Sequence, residues 1–377
     1  MLSGAKMTKK TALQLCHGYQ GPFFDVAQQH AHSLKNNGFN VVTVFLSGKP
    51  DEQKQFHSFS DETIFLNRPS KALKGLKLGL LITLIHLCKT HDISLIVAHR
   101  AKPIYLACLI AWLRPKTKVL GIIHAFGVFN RFNRKWMAYC NSKHLILLGV
   151  SNAIRDEIRQ SLPRFPHNNI QTFYNRLDFN SIKPSLRTRQ EARKALNIVD
   201  SSYAFVNIGR LHPDKDQKTL IAGFARALPS IDKAHLYIAG QGKLEHTLKK
   251  QVNELQLNEK IHFLGNIPEI YRYLNAFDCF VLSSDHEPFG MVLLEAIAAE
   301  IPIITTKCGG ANEIVIADTK FNVGDTKTLS KLLLQQQNEK PEITINKSKQ
   351  QLNFAKKNFS YEAAIFRFSE IEKLLDD

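Results

Sequence analysis

The run Cys279-Phe280-Val281-Leu282-Ser283-Ser284-Asp285-His286-Glu287-Pro288-Phe289-Gly290-Met291-Val292-Leu293-Leu294-Glu295 decides how the chain is read. Cys279–Leu282 is short, apolar and not alternating, as a strand buried on both faces of a parallel sheet should be. A polar loop follows, and a helical pattern starts just after Gly290. Strand, short loop and helix make the repeating step of a doubly wound α/β domain. The first turn of such a helix points free N–H groups at the carboxyl edge of the strand. Its partial positive charge makes it a natural phosphate site. Gly290 has no Cβ to keep a ligand off the backbone. Glu295, one or two turns in, brings a carboxylate to the same cleft. It cannot favour a phosphate, but it can accept hydrogen bonds from a ribose diol. Acids are also common at any helix start, so the weight lies on the flanking residues more than on the spacing of Glu287 and Glu295.

The same alternation extends outward in both directions. In the first half, strands are expected at Ala12–Cys16, Val41–Leu46, Leu95–His99, Val119–His124, Leu145–Val150 and Ile170–Tyr174. Helices are expected at Phe24–Asn36, Pro103–Leu113 and Asn152–Ser161. Asp178–Asp200, polar and with Pro184, reads as a linker and first helix. The alternation then restarts, with strands at Tyr203–Ile208, His235–Ala239, Ile261–Leu264, Cys279–Leu282 and Ile303–Thr305. Helices are expected at Thr219–Ala227, Leu244–Leu255, Ile270–Asn275 and Val292–Ala299, and two more from Lys347 onward. For 377 residues this organisation means two domains, each large enough for its own core. The expected boundaries are 1–178, 179–355 and a last helical segment, 356–377, that returns to the first domain.

Composition narrows the class. Six scattered cysteines without a CxxC pair read as buried thiols of a reducing compartment. The longest apolar runs, Leu78–Cys88 and Ile104–Leu113, fall well short of the ~20 residues that span a bilayer. The net charge of +17 is unevenly placed. Residues 1–178 hold 24 Lys and Arg against 9 Asp and Glu, while residues 179–377 hold 26 against 24. A basic first domain should attract an anionic partner.

The segment Ser283–Glu295 resembles the Glu-x7-Glu signature of family 4 glycosyltransferases. The similarity continues through Ala296–Ile304 and Gly309-Gly310-Ala311-Asn312-Glu313, with Glu300 standing where members usually carry Gly. It includes Gly209-Arg210-Leu211-His212-Pro213-Asp214-Lys215-Asp216, Gly240-Gln241-Gly242 and Phe263-Leu264-Gly265 in the family's order. The resemblance implies the α/β fold called GT-B, two Rossmann-like doubly wound domains facing across a cleft. It implies a retaining hexosyltransferase that uses a nucleoside-diphosphate sugar, UDP-linked by expectation. Arg210 and Lys215 would grip the donor diphosphate, Glu287 the sugar and Glu295 the ribose. The amides of Phe289, Gly290 and Met291 would hold sugar and phosphates. The chemistry suits these residues, because a departing diphosphate gains negative charge and fixed cations stabilise it.

In the first half, His17-Gly18-Tyr19-Gln20-Gly21-Pro22 resembles the family's glycine-rich loop with its glycines spaced apart, which makes Gly18 and Gly21 candidate donor contacts. By resemblance, His124 faces the reacting sugar. Arg100 and Lys102, at a strand edge, are candidates for docking an acceptor phosphate. Asp214 and Asp216 spell an Asp-x-Asp pattern, but the lysine between them is needed for phosphate and suits Mg²⁺ poorly. No metal and no cofactor are therefore expected. Lys71, Lys74 and Lys77 share a helical face suited to an anionic membrane surface. The pattern looks most like bacterial enzymes that extend the lipopolysaccharide core. The expectation is a cytoplasmic protein, peripheral to the inner membrane, that acts on a phosphorylated glycolipid and binds no nucleic acid. The alternatives are the same chemistry on a lipid-linked exopolysaccharide, or a GT-B sugar-nucleotide epimerase.

Overall fold

The structure, a computed structural model, describes residues 10–19, 23–50, 58–69, 78–316 and 318–376. The chain divides into two compact units, Met1–Asn175 with Tyr361–Asp377, and Arg176–Ser360.

The first unit is built on seven parallel strands: β1 (Thr11–Cys16), β2 (Asn40–Phe45), β3 (Glu62–Phe65), β4 (Ile93–His99), β5 (Lys118–Ile123), β6 (Leu145–Gly149) and β7 (Ile170–Thr172). Their spatial order is β3-β2-β1-β4-β5-β6-β7. β1 pairs on both sides, Leu13 facing Val42 on β2 and Ile96 on β4. Its apolar residues are fully buried because helices cover both faces of a parallel sheet. One polar residue sits among them. The amide of Gln14 donates to the carbonyl of Ala27 at 3.0 Å and to Thr43 Oγ1 at 3.2 Å, tying β1 to its first helix and to β2. Helix Tyr361–Asp376 packs on helix Phe23–Asn36. The Phe368 ring lies 6.2 Å from Phe39 and 6.0 Å from Phe173.

The second unit carries β8 (Tyr203–Ile208), β9 (Ala234–Ala239), β10 (Ile261–Gly265), β11 (Cys279–Leu282), β12 (Ile303–Thr306) and β13 (Lys320–Phe321). All six are parallel, in the order β10-β9-β8-β11-β12-β13. Its core joins Phe205, Leu236, Ile238 and Val281 from the sheet with Phe224 and Leu329 from the helices.

The structure corrects several expectations. Asp178–Asp200 holds two helices, Phe179–Ser185 and Arg189–Leu196. Pro184 is tolerated in the last turn of the first. A capping box between Thr188 and Glu191 starts the second. Arg193 is not a linker charge. It is buried, donating to Asp278 at 2.8 Å and to the carbonyls of Ala276, Val199 and Ser202. Ile270–Ala276 is a 3-10 helix, and the tail helices run Pro341–Phe359 and Tyr361–Asp376. β3, β13 and helix Thr326–Asn338 were not anticipated. β3 and β13 are edge strands that need little apolar sequence. The helix hides its apolar stripe behind the polar run Gln335–Gln337.

Candidate functional site

Both strand orders reverse once, between β1 and β4 and between β8 and β11. In open α/β sheets ligands bind beyond the carboxyl ends of the strands at such a reversal. In the second unit, the β8–β11 ladder pairs only Cys279 with Phe205 and Phe280 with Val206. Past that point the side-chain amide of Asn207 bridges the strands, donating to the Val281 carbonyl at 2.8 Å. The strands therefore part at their carboxyl ends, and two loops fill the mouth.

After β8 come Gly209, Arg210 and a turn at Pro213–Lys215. After β11 come Ser283, Ser284 and Glu287. Lys215 Nζ lies 2.6 Å from Glu287 Oε2, and both side chains are largely buried. Ser284 Oγ adds a longer bond to the same carboxylate oxygen at 3.4 Å. The loops are tied by Ser283 Oγ donating to the Lys215 carbonyl at 2.9 Å and Asp285 N–H to the Asp214 carbonyl at 3.1 Å. The carbonyl of Glu287 accepts from Gly310 N–H at 2.8 Å, so its backbone is fixed too. Arg210 differs from Lys215. Its side chain is 72% exposed and reaches the edge of Asp214, at 3.4 Å.

Gly290, at φ 104°, turns the chain into helix Met291–Ala298 and can offer no side chain to the first-turn amides. Phe289 is buried, its ring 5.7 Å from that of Phe359. Met291 and Glu295 are half-buried on the helix. Across the sheet, Gly240 (φ 139°) lets the turn after β9 close on the turn after β8. A Cβ there would stand 2.0 Å from the Gly209 carbonyl oxygen. Asp214 and Asp216 are engaged by the protein. Asp214 meets Arg210 and His212, and Asp216 caps helix Gln217–Ala227 through Thr219 N–H. Among the described residues no group of three His, Cys, Asp or Glu is placed to hold a metal.

In the first unit the ends of β1, β4 and β5 bring His17, Gly18, His99, Arg100 and His124 around one small pocket. Gly18 is close to the loop after β2, where its missing Cβ would come 2.9 Å from Ser47 Oγ. Arg100 adopts φ 74° and lays its guanidinium 4.0 Å from the centre of the Phe23 ring. Lys102 is exposed in the first turn of helix Ala101–Leu113. His124 Nε2 lies 3.2 Å from His99 Nδ1, with the rings stacked at 5.5 Å. His99 in turn meets His30 edge-on at 4.8 Å. Burial, then the charge of Arg100, pushes the His124 pKa down to about 4, so the ring is neutral at neutral pH. His17 is lowered as well, by burial and then by Lys102 and Arg100. Gly21, Lys71, Lys74 and Lys77 lie outside the described residues.

The sequence reading missed His99, Ser283 and Ser284. A signal existed for His99. Parallel pairing of β4 with β5 in register, His99 opposite Ile122, places His99 beside His124 two residues on.

Two parallel-sheet α/β domains with these loops at their switch points are the architecture of the GT-B enzymes. Residues 26–180 match Glycosyltransferase Family 4, and residues 188–351 match Glycosyl transferases group 1. The chain therefore carries a family 4 domain followed by a group 1 domain, on the GT-B fold. It is 29% identical over 184 residues to N-acetyl-alpha-D-glucosaminyl L-malate synthase of Bacillus anthracis, 48% of this chain and 47% of that one. It is 30% identical over 124 residues to the lipopolysaccharide core biosynthesis glycosyltransferase LpsD of Rhizobium meliloti, 33% of this chain and 35% of that one. The chain thus spans less than half the length of these curated relatives. Among solved structures, Anabaena HepE in complex with UDP shares the fold at a TM-score of 0.79 and 18% identity, covering 97% of this chain and 99% of that one.

Proposed function

We propose that the protein moves a hexose from a UDP-sugar to a phosphorylated glycolipid of the lipopolysaccharide-core type, with retention at the anomeric carbon. The observation that carries the donor half is the buried Lys215–Glu287 pair between the two loops where β8 and β11 part. A cation and a carboxylate fixed 2.6 Å apart beside a helix start offer the separate partners that a diphosphate and a sugar require. In this reading Lys215 and Arg210 stabilise charge on the leaving diphosphate, and Glu287 holds the sugar. Glu295 accepts from the ribose, and the amides of Phe289, Gly290 and Met291 receive phosphate and sugar oxygens. By the resemblance of their loop, Gly18 and Gly21 are the first domain's candidates for contact with the donor, and Arg100 and Lys102 receive the acceptor phosphate. His124, neutral, donates or accepts one hydrogen bond at the reacting sugar. The bond from the anomeric carbon to the phosphate oxygen breaks, and the bond to the acceptor oxygen forms on the same face. The acceptor proton passes to the leaving phosphate oxygen. No metal is required. The relative LpsD supports this acceptor class, and the HepE complex supports UDP as the nucleotide.

The test is transfer from a panel of UDP-sugars to core glycolipid extracted from a deletion strain, in excess EDTA, with product anomers assigned by NMR. An α-linked product from an α-linked donor, formed in EDTA, is expected. Inversion, strict dependence on Mg²⁺ or Mn²⁺, or interconversion of the sugar nucleotide without transfer overturns the reading.

A further inference from the structure

Helices Leu78–Thr90, Ala101–Leu113 and Phe132–Cys140 follow β3, β4 and β5, and each of these connections runs toward the β7 edge. Right-handed crossovers place all three on one face of the first sheet, and the middle helix packs against both neighbours. A surface helix normally turns polar residues outward. These three do not. Leu78 and Ile82 are exposed on the first, Tyr105 and Trp112 on the second, Phe132 and Trp136 on the third. Phe132 is 81% exposed, Trp136 56% and Trp112 47%. Within each helix these residues recur at intervals of four or seven, so each set forms a stripe.

The charge around the stripes has one sign. From Thr63 to Arg155 the sequence contains one acidic residue, Asp92, against fifteen Lys and Arg. None of the three helices contains an acid. An apolar patch of this kind marks an interaction surface. Exposed tryptophan and tyrosine beside Lys and Arg, with carboxylates excluded, is the composition that suits the boundary of an anionic bilayer. There the rings sit at headgroup depth and the cations meet lipid phosphates. A protein partner of matching charge would need only a few complementary acids. It would give no reason to keep ninety residues almost free of carboxylate.

We infer that this three-helix face of the first unit docks on an anionic membrane through Trp112, Phe132 and Trp136. The inference deepens the proposed function, because it rests on the acceptor being lipid-anchored. Helices in such a sheet run antiparallel to the strands. The N-terminal residues Lys102, Tyr105 and Phe132 therefore lie toward the edge that carries Arg100 and His124. Ala101–Leu113, at ~1.5 Å per residue, extends the contact ~20 Å away from that edge. A glycolipid in the bilayer would present its headgroup at that edge.

The two tryptophans of the whole sequence are Trp112 and Trp136, so tryptophan emission, excited selectively over the tyrosines, reads this face alone. Vesicles of phosphatidylcholine containing phosphatidylglycerol should shift the emission to the blue, and brominated phosphatidylglycerol should quench it. Pure phosphatidylcholine should do neither. Arg131→Glu with Lys135→Glu should weaken vesicle partitioning about tenfold or more, from roughly 1 kcal/mol per charge near the surface. Circular dichroism melting and UDP binding of that variant should match the parent. The inference fails in three cases: vesicles bind without moving the emission; single-stranded DNA shifts it where vesicles do not; or the shift follows protein concentration alone with a dimer in sedimentation. UDP binding separates the two proposals. Vesicle docking without UDP binding would overturn the donor reading, and UDP binding without docking would overturn only this face.

Discussion

The two sheet edges handle charge in opposite ways. At the mouth of β8 and β11 each cation already has a carboxylate, Lys215 with Glu287 and Arg210 with Asp214. At the ends of β1, β4 and β5 the described charged and imidazole groups are His17, His99, Arg100 and His124, with Lys102 near enough to act on His17, and residues 93–155 contain no acid. A buried cation needs an internal counter-charge, whereas cations at an exposed edge are left for the ligand to neutralise. The second unit is thus organised before its ligand arrives.

The comparison breaks most directly at the buried pair. Lys215→Met or Glu287→Leu alone leaves one charge without its partner. Each should cost ~3–5 kcal/mol of unfolding free energy, measured by urea denaturation. The double substitution should recover most of that loss. If the single substitutions are neutral, the pair is solvated and the contrast between the edges is false. Arg210→Ala, by contrast, should leave stability unchanged, because its side chain is already in solvent. Its effect should fall on turnover, a loss of ~10² or more at saturating donor, if it meets the diphosphate only as charge develops. Turnover within threefold of the parent would remove Arg210 from the chemistry.

The smallest effect concerns protons. In the folded chain His124 is held neutral down to about pH 4, while an unfolded histidine takes up its proton near 6.5. Folding stability from this ring is therefore complete above 6.5 and is lost as the pH falls toward 4. The melting temperature of His124→Phe should depend less steeply on pH across that window than the parent's. Equal slopes would mean that His124 titrates normally, and that the edge is wetter than its geometry implies.

The fold was legible because parallel strands buried on both faces read as unbroken apolar runs. β1, β8 and β11 announce themselves within a residue or two. The edge strand Glu62–Phe65 and the two residues of β13 escape because an edge needs no such run. At the site, Lys215 and Glu287 stand 72 residues apart, and their ordering was readable from local context as strand-end residues. Their direct pairing was not. It depends on Ser283 Oγ and the Asp285 N–H stitching the loops together, and bonds made to backbone carbonyls leave no compositional trace. Likewise His99 shows itself only once the β4–β5 register is known.

The close approach at Gly240 bears on how this site can change in descent. With only 2.0 Å between a would-be Cβ and the carbonyl of Gly209, no rotamer search rescues any other residue there. The turn after β8, which starts the loop of Arg210 and Lys215, is therefore inherited as a fixed frame. Divergence in what the site binds must be written in side chains that project from that frame, or in loops hung outside it.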